Sequence, residues 1–166
     1  MKKNIKTNDA VFYNGEVYIQ YKYGKKTKQI KKHNEGKIAL FTAITQALGG
    51  RFDDAKKYMP KYLMGVDATG DPESPCFYYK AAVQDIMYFN DSAISSGSEN
   101  NIIRYVFVVP VSSLIPDKQI TQLQLKNESE DICATLDLEG TDRIDTDVAA
   151  SLLIYWDLKF MNPVSE

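Results

Sequence analysis

Apolar and polar residues alternate along most of this chain, and one segment alone repeats with the period of a helix. In residues 33–50 (HNEGKIALFTAITQALGG) apolar side chains recur at i, i+1, i+4, i+7 and i+8. This spacing predicts an amphipathic α-helix at about residues 37–48, with Asn34 as N-cap and Gly49–Gly50 at its C-terminal end. We expect the helix to lie against a sheet through Leu40, Phe41, Ile44, Ala47 and Leu48, with Phe41 and Ile44 as buried anchors.

Alternation with a period of two predicts strands in the rest of the chain. Asn14–Gly15 favours a type I′ hairpin turn within residues 10–23, and Gly24–Lys26 favours a second turn into a charged edge strand at 27–32. Residues 51–60 suggest a loop or one short helical turn. Further strands are predicted at 62–66, 76–89, 103–109, 120–125, 132–138 and 152–160, with 103–109 central because it is apolar on both faces.

This succession predicts a mainly β fold, an antiparallel β-sandwich that is Ig-like or jelly-roll-like and braced by the one helix. The 166 residues are enough for a single domain, 1–166, with a basic N-terminal arm at residues 1–9. Polar segments predict mobile loops at 67–75, 90–101 and 139–151.

The longest apolar run is too short to span a bilayer, and the first residues lack the apolar stretch of a secretory signal. We therefore expect no membrane association and a cytosol-like compartment, where Cys76 and Cys133 stay as small, half-buried thiols.

Charge is divided along the chain. Residues 1–37 carry ten lysines and three acidic residues, a net charge of +7, whereas the other 129 residues carry ten basic and nineteen acidic residues, a net charge of −9. The division is typical of two solvated faces, or of a head-to-tail contact between copies. An isoelectric point near 5.5 and the lack of a binding motif argue against direct nucleic-acid recognition. The candidate interface residues are Lys2, Lys3, Lys6, Lys25, Lys26, Asp142, Asp145 and Asp147.

The sequence gives little support for a catalytic or cofactor-binding site. His33 is the only histidine, and its position predicts a turn residue at the start of the helix rather than a catalyst. The acidic group around Asp142 lacks the spacing of a calcium loop, and no phosphate-binding glycine motif occurs. We expect no enzyme activity, no metal and no cofactor. Trp156, with Tyr155 and Phe160, fits either a ligand platform or, more commonly on a terminal strand, the core.

The order of these segments resembles a group of small structural proteins of tailed-bacteriophage virions, found in neck, tail and fibre-attachment regions. The resemblance lies in HNEG before the helix and in ITQLQL, ICATLDL and LIYWDLKF near the C-terminus. Gln124 and Lys37 depart from the residues usual in that group, and the middle of the chain carries no motif of it. The residues that mark the resemblance are His33, Asn34, Gly36, Phe41, Ile44, Leu123 and Trp156.

The resemblance implies a non-enzymatic virion component that forms an oligomeric ring or adaptor in the head-to-tail neck or tail. Its partners would be further copies of itself and other virion proteins, and its location would be the virion, assembled in the host cytoplasm. One alternative is a carbohydrate- or receptor-binding β-module of a tail fibre, suggested by Trp156 and eleven tyrosines. A small hydrolase, suggested by His33 and scattered carboxylates, is a third hypothesis.

Overall fold

The computed structural model describes residues 12–69, 71, 73–93 and 98–161, with side chains at all of these except 12–14, 89–93, 98–100 and 160–161. The described residues form two helices, α1 (Ile38–Leu48) and α2 (Phe52–Tyr58), and eleven strands. The strands are β1 (Phe12–Tyr23), β2 (Lys26–Gly36), β3 (Tyr62–Val66), β4 (Ala81–Ala82), β5 (Asp85–Ala93), β6 (Ser98–Val109), β7 (Gln119–Ile120), β8 (Gln122–Lys126), β9 (Ile132–Asp137), β10 (Ile144–Asp145) and β11 (Leu152–Met161).

The predicted fold class is confirmed, since the chain is mainly β, antiparallel and sandwich-like with a bracing helix. Nine strands follow the order β4-β3-β8-β9-β2-β1-β11-β6-β5 and curl into two layers. We call β2-β1-β11-β6-β5 sheet A and β4-β3-β8-β9 sheet B. The layers join at one corner through Glu35 and Gly36, the last residues of β2, which pair with Thr135 and Ala134 of β9.

The opposite corner is closed by the bend between β4 and β5. Val83 N donates to Lys61 O, beside β3 of sheet B, at 3.0 Å, and Gln84 N donates to Val106 O, on β6 of sheet A, at 2.8 Å. Two residues therefore carry the chain from one edge of the curled sheet to the other. The β4–β5 segment binds both layers together.

The core lies between the two layers because one face of each strand is apolar. In sheet A, Trp156 lies opposite Val17 on β1 and Tyr105 on β6, and all three are buried. In sheet B, Leu123 and Leu125 of β8 face the same interior. One cluster of buried residues from both sheets and α1 fills the space.

The hairpin turn predicted at Asn14–Gly15 is wrong. β1 runs through this dipeptide without a break, and the turn lies at Gly24, where φ is +58°, as the second predicted turn required. Gly15 serves a different purpose. A Cβ at this position would lie 2.1 Å from Asn34 Oδ1 on the facing strand, so the missing side chain makes room for the amide.

Helix α1 matches its predicted range, but its beginning differs. Asn34 and His33 lie in β2, so neither is a cap or a turn residue, and the N-cap is Lys37 without a side-chain cap. Phe41 is 43% exposed and is not a buried anchor; Leu40 and Ala43 are buried instead, and Ile44 is partly buried against the core. At the C-terminal end, Gly50 has the predicted left-handed conformation, with φ +77°.

Several loop and strand boundaries also differ. The predicted loop at 90–101 is wrong at its two ends, because residues 90–93 and 98–101 extend the β5–β6 hairpin. The predicted strand at 76–89 is broken into β4 and β5, and residues 51–60 hold the two-turn helix α2. The segment 139–151 contains a 3₁₀ turn and the short strand β10, which pairs with β7. The strand predicted at Tyr62–Val66 is confirmed.

Candidate functional site

The basic candidates of the predicted interface fall in two places. Lys2, Lys3 and Lys6 lie outside the described residues. Lys25 and Lys26 lie at the exposed turn between β1 and β2. Beside this turn, Tyr23 forms a bridge with Ala149, and Ala150 N donates to Lys22 O at 3.0 Å. The hairpin end and the segment that enters β11 are therefore neighbours.

The acidic candidates are close to the same hairpin and make contacts within the chain. Asp142 forms a 3.1 Å ion pair with Lys32 of β2. Asp147 Oδ1 accepts a hydrogen bond from Asp117 N at 3.0 Å, and Asp145 Oδ1 accepts one from Asp147 N at 2.9 Å. The structure thus places Lys25 and Lys26 on the same side as these carboxylates rather than at opposite ends. Their part in a contact between copies stays a prediction.

The residues that mark the resemblance do not form one site. His33 is exposed on β2 opposite Glu16, while Asn34 Nδ2 donates to Asp157 O across the sheet at 3.5 Å. Gly36 joins the two sheets, Phe41 is at the surface, and Ile44 is half-buried. Leu123 and Trp156 are in the core with no exposed surface. Trp156 is therefore core, and it offers no surface platform for a ligand.

A polar network that sequence reasoning missed covers the outer face of sheet A. Arg104 of β6 donates to Asp157 of β11 through two bonds, Nε to Oδ1 and Nη2 to Oδ2, both 2.7 Å long. Next to this pair, Lys159 donates to Glu16, and Tyr18 Oη donates to Glu16 Oε2 at 2.9 Å. The signal in the sequence was a charge in the middle of each of two apolar strands, IIRYVF and LLIYWDLKF.

Electrostatics in this network follow from burial and pairing. Burial alone would raise the pKa of Glu16, but hydrogen bonds from Lys159 and Tyr18 and the charges of Lys159 and Lys31 lower it overall. The bidentate contact with Asp157 raises the pKa of Arg104. The Arg104 guanidinium also lies 4.9 Å from the ring centre of Tyr155 and 5.6 Å from that of Tyr18. These ring faces are engaged within the chain.

In the segment 67–75, predicted as a mobile loop, the described contacts centre on Asp67. Its carboxylate accepts hydrogen bonds from Thr69 Oγ1 at 2.5 Å, Ser74 Oγ at 3.1 Å and Lys118 Nζ at 3.0 Å. The hydrogen bonds from Thr69 and Lys118 hold the pKa of Asp67 well below its usual range. Asp67, which follows β3, is thereby linked to Lys118, which precedes β7.

An apolar groove opens between α1 and sheet A. It has a volume of about 350 Å³. On its helical side are Leu48 and Met59, which are exposed. Tyr88 and Ile86 of β5 lie opposite two groove residues, Ile103 and Tyr105, on the same face of the sheet, and they extend the apolar surface to the sheet edge. The groove is lined by Leu40, Ala43, Ile44, Ala47, Leu48, Met59, Pro60, Ile103, Tyr105 and Leu158.

The two cysteines are free thiols and are fully buried rather than half-buried. Burial raises the pKa of Cys76 to about 11 and that of Cys133 to about 12. Within the described ranges, no group of three or more His, Cys, Asp or Glu side chains is placed to hold a metal ion. The helices of the described residues are also too short to cross a bilayer.

Comparison of the chain with protein-family models, with curated proteins and with solved structures finds no match.

Proposed function

We propose that this protein is a structural component of a bacteriophage virion, a subunit of an oligomeric ring or adaptor in the head-to-tail neck or tail. The proposal rests on two grounds. The first is the resemblance carried by the motifs at 33–36, 120–125 and 152–160, and the second is the exposed surface of the folded chain. Contacts with further copies and with neighbouring virion proteins are its function, and it carries out no reaction.

The observation that supports this proposal best is the apolar surface around the groove. Leu48 is 85% exposed and Tyr88 is 73% exposed, and both lie at its margins. Soluble monomers rarely leave large contiguous apolar surface in water, and such patches mark protein contacts.

The frame beneath this surface suits a structural subunit. The curled sheet is closed at two corners, and the ion pair between half-buried Arg104 and buried Asp157 links β6 to β11. A contact that forms on a rigid frame loses little conformational freedom on assembly, which favours association.

Mass spectrometry of purified virions of the phage that encodes the chain tests the proposal. We expect peptides of this protein in the particle at a fixed ratio to a tail or neck protein, together with self-association of the purified protein in native mass spectrometry. Absence from intact particles would overturn the virion assignment.

A further inference from the structure

Strand β5 leaves one long side of sheet A open. It pairs with β6 over its whole length, from Asp85–Val106 to Ala93–Ser98, and among the described residues no strand pairs with its other side. A nine-residue edge presents a row of backbone N–H and C=O groups to any strand that approaches.

The other outer strand of sheet A is protected in ways that β5 is not. β2 carries four lysines, and two of them reach over to the segment that follows β9: Lys28 Nζ donates to Thr141 O, and Lys32 pairs with Asp142. Lysines and a covering segment are common means of preventing edge-to-edge pairing. The described part of β5 contains no lysine and no proline, and Ile86, Met87 and Tyr88 are all exposed.

We propose that β5 pairs antiparallel with β5 of a second copy, about a two-fold axis that passes between the Met87 residues of the two copies. The inference rests on the proposed function and deepens it by naming a contact that joins copies in pairs; the contacts around a ring are heterologous and use other surfaces. A two-fold contact uses the same residues on both copies, so the strand must be complementary to itself.

Only some registers keep inward side chains opposite inward side chains, and two of these, centred on Tyr88 and on Met87, differ in the charges that they place opposite each other. With Tyr88 on the axis, Asp85 would lie opposite Asp91 of the second copy, and like charges directly opposite destabilise a strand pair. With Met87 on the axis, Asp85 lies opposite Phe89, and Ile86 lies opposite Tyr88. Aromatic and β-branched residues form a favourable cross-strand pair, so the Met87 register is favoured over the Tyr88 register.

Exposed side chains of β5 add apolar area to the backbone contact. A specific interface buries roughly 1,600 Å² in total, more than a short strand pair provides. In the Met87 register, Ile86 and Tyr88 of both copies lie on the face that carries the groove, and within each copy they are opposite its residues Tyr105 and Ile103. The paired strands then set the apolar faces of the two copies side by side across the axis.

Cysteine cross-linking of the purified full-length protein tests the register. Opposed residues on paired strands have Cβ atoms about 5 Å apart, close enough for a disulfide after small adjustments. We expect Met87→Cys to give a covalent dimer under mild oxidation and a mixture of Ile86→Cys and Tyr88→Cys proteins to give the mixed dimer. Tyr79→Cys, exposed outside β5, is the control, and the native cysteines are buried and do not interfere.

Native mass spectrometry of Met87→Lys tests the interface without a new covalent bond. Two lysines on the axis should weaken self-association at least tenfold, while Val148→Lys, at a site of similar exposure (43% against 45%), should leave it unchanged. Failure of Met87→Cys to cross-link, or equal dimerisation of wild type and Met87→Lys, would overturn the inference. If the protein is present in virions but does not cross-link, only the proposed β5 interface is overturned. If it cross-links but is absent from virions, only the proposed role in the virion is overturned.

Discussion

Arg104 and Asp157 face each other across β6 and β11 in a two-point ion pair, and the carboxylate is 1% exposed although it lies on the outer face of sheet A. On the same face, the rings of Tyr18 and Tyr155 lie close to the guanidinium that holds the carboxylate. A buried carboxylate of this kind depends on its partner far more than a surface carboxylate does.

Replacement of Arg104 by Ala should therefore lower the free energy of unfolding by about 3–5 kcal/mol, because it leaves a buried charge without its partner. Lys56→Ala, which removes an exposed partner of Asp53, is the control and should cost less than about 1 kcal/mol. Denaturant unfolding measures both, and equal losses for the two variants would contradict the prediction.

Gly15 and Asn34 should be energetically coupled. Gly15→Ala places a methyl group within 2.1 Å of Asn34 Oδ1, so we expect a loss of about 1–3 kcal/mol from overpacking. In the double variant with Asn34→Gly the obstruction is gone, and Gly15→Ala should then cost less. A double-mutant cycle measures this coupling, and simple additivity would show that the two side chains do not compete for the same space.

Leu40 rather than Phe41 should anchor helix α1. Leu40 is 2% exposed and belongs to the core cluster, so Leu40→Ala should cost about 2–5 kcal/mol in denaturant unfolding. Phe41→Ala should cost clearly less because much of that side chain is in contact with water. A larger loss at Phe41 would instead support its predicted role as a buried anchor.

Glu16 should contribute to stability at neutral pH and lose this contribution in acid. Its folded-state pKa is lowered, so the carboxylate stabilises the fold above its ordinary pKa, about 4.3, and the effect disappears as the pH falls through the lower folded value. The free-energy difference between wild type and Glu16→Gln should accordingly shrink as unfolding is measured from pH 7 towards pH 3. Glu128→Gln, at an exposed carboxyl paired with Lys61, controls for loss of charge alone. A difference that does not change with pH would contradict the prediction.

The dependence of self-association on salt concentration should distinguish β5 pairing from a contact between charged surfaces. Pairing through β5 is mainly apolar and backbone-mediated, so we expect little change in the oligomer between 0.1 and 1 M salt, where the screening length falls from about 10 Å to about 3 Å. A contact between the lysines at 25–26 and the carboxylates at 142–147 would weaken over the same range. Analytical ultracentrifugation distinguishes the outcomes.

Local patterns predicted the strands and the helix well where one face had to be buried, as at Tyr62–Val66 and in the range of α1. They failed where tertiary contacts decided the conformation. Asn14–Gly15 has ideal turn chemistry, yet the facing strand needs the space above Gly15 for an amide. The polar segment 90–101 has a loop-like composition, but pairing with the opposite strand extends the hairpin through most of it.

The candidate surface was harder to predict than the fold. Exposure of Met87 and Tyr88 depends on β5 being the last strand of its sheet, and strand order cannot be read from alternation alone. The charges at Arg104 and Asp157 were visible in the sequence, but their pairing depends on β6 and β11 being neighbours in register.

Closure of the sheet through Val83 and Gln84 means that β5 is mechanically continuous with the layer behind it. Force applied along β5 is carried through the two connecting residues to β4 and, by the hydrogen bond from Val83 to Lys61, to the start of β3. Docking on β5 would therefore slow hydrogen exchange not only along that strand but also at the amides of residues 83 and 84.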